Sequence, residues 1–142
     1  MIIYNKITKE ILDSDKLSST EFDPVFLAND PDYHFIKATP QQEADYIKQQ
    51  NTLQLANSKT TAINQLQTLK TTTIDKLRAD NYAISIKVLA NNSPLNIEII
   101  QALDVKLDTI DIELAKAIDN INNAINQTTI DNCITTFTEF LI

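Results

Sequence analysis

The chain has 142 residues, 43% apolar and 22% charged, with a net charge of −7, a composition that supports a packed core and argues against wholesale disorder. It contains no glycine, which excludes phosphate loops, dinucleotide fingerprints and nucleophile elbows in their usual forms, since each needs a residue without Cβ where backbone turns sharply or meets a ligand. No segment forms a dense basic patch, so nucleic acid is a poor partner, and no run approaches the roughly 18 apolar residues of a membrane span.

The opening residues read as a short hairpin. Ile2, Ile3 and Tyr4 are β-formers, Asn5-Lys6-Ile7-Thr8-Lys9 is polar and turn-like, and Glu10-Ile11-Leu12 resumes the strand pattern. Residues 13–39 are irregular, with turn clusters at Asp13-Ser14-Asp15, Phe22-Asp23-Pro24 and Asn29-Asp30-Pro31-Asp32. Phe22, Val25, Phe26, Leu27, Tyr33, Phe35 and Ile36 are apolar points between them, and Tyr33 to Lys37 reads as a third strand. Two strands alone are marginal, so the hairpin must rest on something.

A helix is expected from residue 40 to about 79. Thr39 suits the N-cap, Pro40 the first helical position, and Gln42 sits where a capping box places its amide. Its apolar stripe is thin: Ala44, Ile47, Leu55, Ala62, Leu66, Leu69, Thr73 and Leu77. Three consecutive threonines, Thr71 to Thr73, weaken it and make a break there plausible. Residues 82–90 fit either state, since Ile84, Ile86 and Val88 alternate with polar residues but nothing stops a helix before Pro94. Asn91-Asn92 reads as a turn.

Ser93-Pro94 opens the next helix, expected over 94–126. Ile100, Leu103, Leu107, Ile110, Leu114, Ala117, Ile121 and Ala124 recur at spacings of three and four, a heptad seam sustained for more than three heptads. Val105, Ile112 and Ile118 add apolar positions off the seam, so this helix is expected to meet neighbours on more than one side. A last helix over 128–141 carries Ile130, Ile134, Phe137 and Leu141, and Phe140-Leu141-Ile142 calls for a cover. One such stripe cannot offset the ordering entropy of some thirty residues alone. The seam therefore packs on the first helix, the last helix, another copy, or all three; its mixture of Ile, Leu and Ala leaves two, three and four strands open.

Charge divides along the chain. Residues 1–39 carry −3, residues 40–90 carry +2 and residues 91–142 carry −6. The two long helices thus differ in sign, which favours their lying side by side and supplies specificity more than affinity.

Sites for chemistry are sparse. Asp104, Asp108 and Asp111 share one helix side, where a hard cation would find oxygen ligands; the reading preferred is a solvated acidic face paired with the first helix. Asp30, Asp32 and His34 alternate, so a strand would put all three on one side, where a metal could bind; the reading preferred is turn-forming aspartates beside a lone surface histidine. Cys133 with His34 would be the sole nucleophile–base pair, but Cys133 reads as a small buried hydrophobe. Phe22, Phe26, Tyr33 and Phe35 lack interleaved basic residues and read as core of the head. No metal, cofactor or catalytic residue is expected. One cysteine and no visible signal peptide suit cytoplasmic synthesis.

The opening Ile2-Ile3-Tyr4-Asn5-Lys6-Ile7-Thr8-Lys9-Glu10-Ile11-Leu12, then Asn29-Asp30-Pro31-Asp32-Tyr33 and the capped helix Thr39-Pro40-Gln41-Gln42-Glu43-Ala44 together resemble small tail-fibre-associated proteins of tailed phages, including tail-fibre assembly chaperones. The resemblance covers about the first third by motif and the rest by layout. Where such proteins have a Thr-Gly hairpin turn, this chain has Thr8-Lys9. The resemblance implies a small β head with a helical tail, and a role in folding and attaching fibres or as a structural part of the particle. It brings no active site.

The expectation is a mainly α protein: a head over 1–39 and a helical body over 40–142, forming a helical hairpin, bundle or coiled coil. The residues expected to make protein contacts are Ile100, Leu103, Leu107, Ile110, Leu114, Ile121, Phe137, Phe140, Leu141 and Ile142. The rival readings are a bacterial helical adaptor or regulator without phage role, and a small metal-dependent enzyme using the aspartates.

Overall fold

The structure is a computed structural model that describes residues 1–16, 35–91 and 95–142. In chain order the elements are β1 (Ile2–Asn5), β2 (Ile11–Asp13), one turn of 3₁₀ helix (Ser14–Lys16), β3 (Phe35–Lys37), α1 (Pro40–Asn91), α2 (Leu95–Asn123) and α3 (Gln127–Leu141). The fold is mainly α with a small three-stranded antiparallel sheet. The chain divides into two compact units, Met1–Gln54 and Leu55–Ile142.

In the first unit β1 is the central strand, flanked by β2 and β3. Ile3 stands opposite Leu12 on one side and Lys37 on the other, and its side chain is fully buried. The β1–β2 turn shows how the chain manages without glycine. Asn5 Oδ1 accepts from the backbone N–H groups of Ile7 (2.9 Å) and Thr8 (3.1 Å), and the Asn5 carbonyl accepts from Lys9 N–H (2.9 Å). That is one helical turn closed by a left-handed residue. Lys9 takes that conformation at φ 65°, which for a residue with Cβ costs on the order of 1 kcal/mol. Lysine thus adopts a conformation that glycine adopts at no steric cost.

The start of α1 is the capping box read from the sequence. Gln42 N–H donates to Thr39 Oγ1 (3.2 Å) and Thr39 N–H donates to Gln42 Oε1 (2.9 Å). The first turns of α1 belong with the sheet: Tyr46, Gln49 and Gln50 share a cavity with Ile11, Leu12 and Asp13 of β2. The compact head therefore extends to Gln54, beyond the boundary expected at residue 39, because the sheet needs a helix against it. Of the apolar points expected between the turns, Phe35 is half-buried in β3 and Ile36 is exposed. Phe22, Val25, Phe26, Leu27, Tyr33 and the set Asp30, Asp32 and His34 lie outside the described residues.

α1 does not break at its threonines. Thr68 and Thr71 donate their hydroxyls to the carbonyls of Asn64 (2.9 Å) and Gln67 (3.0 Å), satisfying the side chains within the helix. It also continues through 82–90, past the expected end near 79. Alternation there is overridden because helix propagation adds one hydrogen bond per residue and neither glycine nor proline intervenes.

In the second unit α1, α2 and α3 share one core: Ala62 and Leu66 from α1, Ile110, Leu114, Ala117 and Ile121 from α2, Ala124 beyond it, and Ile130 and Phe137 from α3. Two polar contacts mark the register of α1 on α2. Lys59 Nζ donates to the Asn122 carbonyl (2.7 Å), and Lys70 pairs with Asp111. Eleven residues forward along α1 match eleven back along α2, so the helices run antiparallel and three turns separate the contacts. Lys59 also places its charge on the last turn of α2, where unpaired carbonyls favour a cation.

The α2–α3 connection is short. Asn126 (φ −153°, ψ 166°) caps α3, its Oδ1 accepting from both the N–H and the hydroxyl of Thr129 (2.9 Å each). α3 thus begins one residue before the expected start, with Asn126 as its cap.

Candidate docking surfaces

The structure sorts the expected contact residues into three groups. Ile110 and Ile121 are fully buried, Leu114 and Phe137 nearly so, all within the chain's own core. Of the covers considered for the seam, α1 and α3 supply these four. Leu103, Leu107 and Leu141 are half-buried. Phe140 is 38% exposed and Ile142 98%. The backbone of Ile100 is helical, and its side chain lies outside the described set.

Burial along the α2 seam therefore falls from Ile110 toward the start of the helix, and α3 explains the fall. It is a 15-residue helix, roughly 22 Å long at 1.5 Å per residue. It leads away from Ala124 back along α2, and its buried residues Ile130 and Phe137 join the same core as Ile121 and Leu114. Below Ile110 the hairpin of α1 and α2 continues as two helices, here called the arm. There Thr73, Leu77, Leu103 and Leu107 are only half-buried. A second exposed pair lies off the seam, Val105 (65%) and Ile112 (56%), two turns apart on one side of α2. Ile118, expected with them, is half-buried against the core.

The groove between α2 and α3, of about 500 Å³, was not legible in the sequence. Ala117, Cys133 and Phe137 contribute apolar surface to it, and Asn120, Thr129 and Asn132 contribute polar walls. Its only acid and base pair with each other, Lys116 Nζ donating to Glu113 Oε1 (2.6 Å). Phe140 lies at this groove with its ring 6.3 Å from that of Phe137. Cys133 is half-buried there, and no histidine among the described residues lines the groove.

Of the acidic set on α2, Asp111 pairs with Lys70, while Asp104 and Asp108 are exposed. Among the described residues no three His, Cys, Asp or Glu side chains are grouped to hold a metal ion, and no helix is long and apolar enough to cross a membrane. No family model, curated protein or solved structure matches the chain.

Proposed function

We propose that this protein is a non-enzymatic structural or assembly component of a phage-type tail, acting by packing its helices against tail fibre or another tail protein. The observation that carries the docking part is the unfinished seam: one continuous apolar ridge is sealed by a third helix from Ile110 to Ala124 and left half-open at Leu107 and Leu103. A helical hairpin with an uncovered apolar seam is stabilised by adding another helix to it. The exposed Val105 and Ile112 widen the apolar surface on the same helix. The tail context rests on the opening hairpin residues, the capped first helix, and the layout of a small sheet followed by long helices.

The test is co-purification of the tagged chain from its native source, with fibre subunits identified among the captured proteins. Capture of a fibre or tail subunit is expected, and Leu107→Asp should abolish it by placing a charge on the open seam. Capture confined to signalling or transcription proteins would favour the adaptor reading and end the tail assignment.

A further inference from the structure

We propose that the groove between α2 and α3 is a second docking site, which takes an extended, positively charged peptide segment of a partner protein. The inference rests on the reading of this protein as one that docks on other proteins, and it is independent of the open seam on the arm.

The groove is a surface in its own right. Every residue that lines it is described, and all lie within the second unit. α2 contributes Glu113, Ala117 and Asn120, and α3 contributes Asn132, Thr136 and Phe140, residues three or four apart that fall on one side of each helix. Ala117, Cys133 and Phe137 give the apolar floor, and Phe140 stays 38% exposed. From Asn123 to Glu113 the groove follows α2 for roughly 15 Å at 1.5 Å per residue. A chain extended at about 3.3 Å per residue crosses that length in about four or five residues.

The polar walls decide what fits. Most of their groups are satisfied within the chain: Lys116 pairs with Glu113, Asn123 Nδ2 donates to the Asp119 carbonyl (3.0 Å), and the Thr129 hydroxyl donates to Asn126. Asn120 and Asn132 differ. They stand on facing helices, both exposed, and neither carboxamide has a hydrogen-bond partner among the described residues. Each offers a carbonyl acceptor and an amide donor. An extended peptide presents backbone N–H and C=O groups free to pair with both, as in strand addition. A helix bonds those groups internally and leaves the two asparagines without backbone partners. Leu103 and Leu107 on the arm offer an apolar ridge alone, which suits a helix; the groove suits an extended chain.

Charge sets the sign of the ligand. Among the lining residues Glu113 and Lys116 neutralise each other. Around them α2 carries six acids and α3 two, against two lysines in all. That field favours lysine or arginine beside the inserted segment. The floor accepts one large apolar side chain, which covers Phe140 and Cys133.

The test uses a library of random heptapeptides displayed on phage and selected on the immobilised full chain. The recovered peptides are expected to share one large apolar residue beside lysine or arginine. Added as synthetic peptides, they should shift the backbone amide signals of 113–140 in NMR spectra, leave those of 98–109 in place, and slow the reaction of Cys133 with a maleimide. Asn120→Ala combined with Asn132→Ala should weaken binding at least about tenfold, through the loss of the hydrogen bonds both side chains make. Asn122→Ala, at an exposed asparagine of α2 outside the lining, should leave it unchanged. Recovery of no peptide above a bare surface overturns the proposal. So do shifts confined to the arm, a peptide that binds as a helix, or full affinity in the double variant. If no peptide binds yet Leu107→Asp abolishes capture of a tail protein, the groove falls and docking through the arm stands. Peptide binding in the groove with capture indifferent to Leu107→Asp gives the reverse.

Discussion

The two halves of the α1–α2 hairpin use the same kind of seam and meet different ends. From Ile110 to Ala124 the seam of α2 is enclosed by α1 and α3, and Ile110 and Ile121 reach full burial. From Leu107 toward the helix start α1 is its neighbour among the described residues, and Leu107 and Leu103 are only half-buried. Residue type does not explain the contrast, since leucine and isoleucine occur in both halves. The number of neighbouring helices does: a pair of helices leaves each seam side chain partly in water, and a third removes the rest. The covered half is therefore the source of stability, and the open half is a surface with apolar area still to bury.

That contrast is breakable. Truncating the covered half should have the largest effect: Ile121→Ala or Leu66→Ala is expected to cost about 2–5 kcal/mol in urea unfolding, transfer and cavity terms together. Leu103→Ala in the arm, measured on dilute protein, should cost about 1 kcal/mol, because half the side chain already meets water. Equal losses would mean that the arm is as well packed as the core. Hydrogen exchange sharpens the same point: amides of 110–121 should open only with global unfolding, while those of 98–109 exchange through local opening. Uniform protection along α2 would remove the distinction.

Smaller effects probe what holds the third helix in place. Asn126→Ala removes the α3 cap and should cost about 1 kcal/mol, loosening the covered half while leaving the arm unchanged. Lys9→Gly should stabilise the head by about 0.5 kcal/mol, since glycine relieves the left-handed conformation but loses more entropy on folding. Thermal unfolding followed with a probe in each unit checks that this gain stays within the first. Lys70→Ala, which removes an ion pair whose aspartate is largely exposed, should cost no more than about 0.5 kcal/mol and less at high salt. A larger, salt-insensitive loss would show that Lys70 sets the α1–α2 register rather than decorating it.

Local chemistry was legible residue by residue. The capping box of Thr39 and Gln42, the hairpin around Asn5, the third strand at Phe35 to Lys37 and the seam of α2 all follow from spacing and side-chain type, because caps, turns and periodicity act over a few residues. The turn before β2 lacks a glycine in the sequence, and the structure gives Lys9 the left-handed angle that glycine adopts most easily. The reach of α1 to Asn91 was not legible, since alternation at 84–88 fits a strand as well as a helix, and propagation from the preceding helix carried it through.

The sequence by itself determined that this protein is helical, that it begins with a small sheet, and that one side of α2 must be hidden. Only the tertiary structure decided what hides it and how far. Periodicity states that a face is apolar; the degree of burial depends on which other helix lies against it and where that helix ends. The length of α3 is thus what separates core from open seam, and the antiparallel packing of α1 on α2, marked by the Lys59 and Lys70 contacts, is what brings distant stretches of chain into one layer.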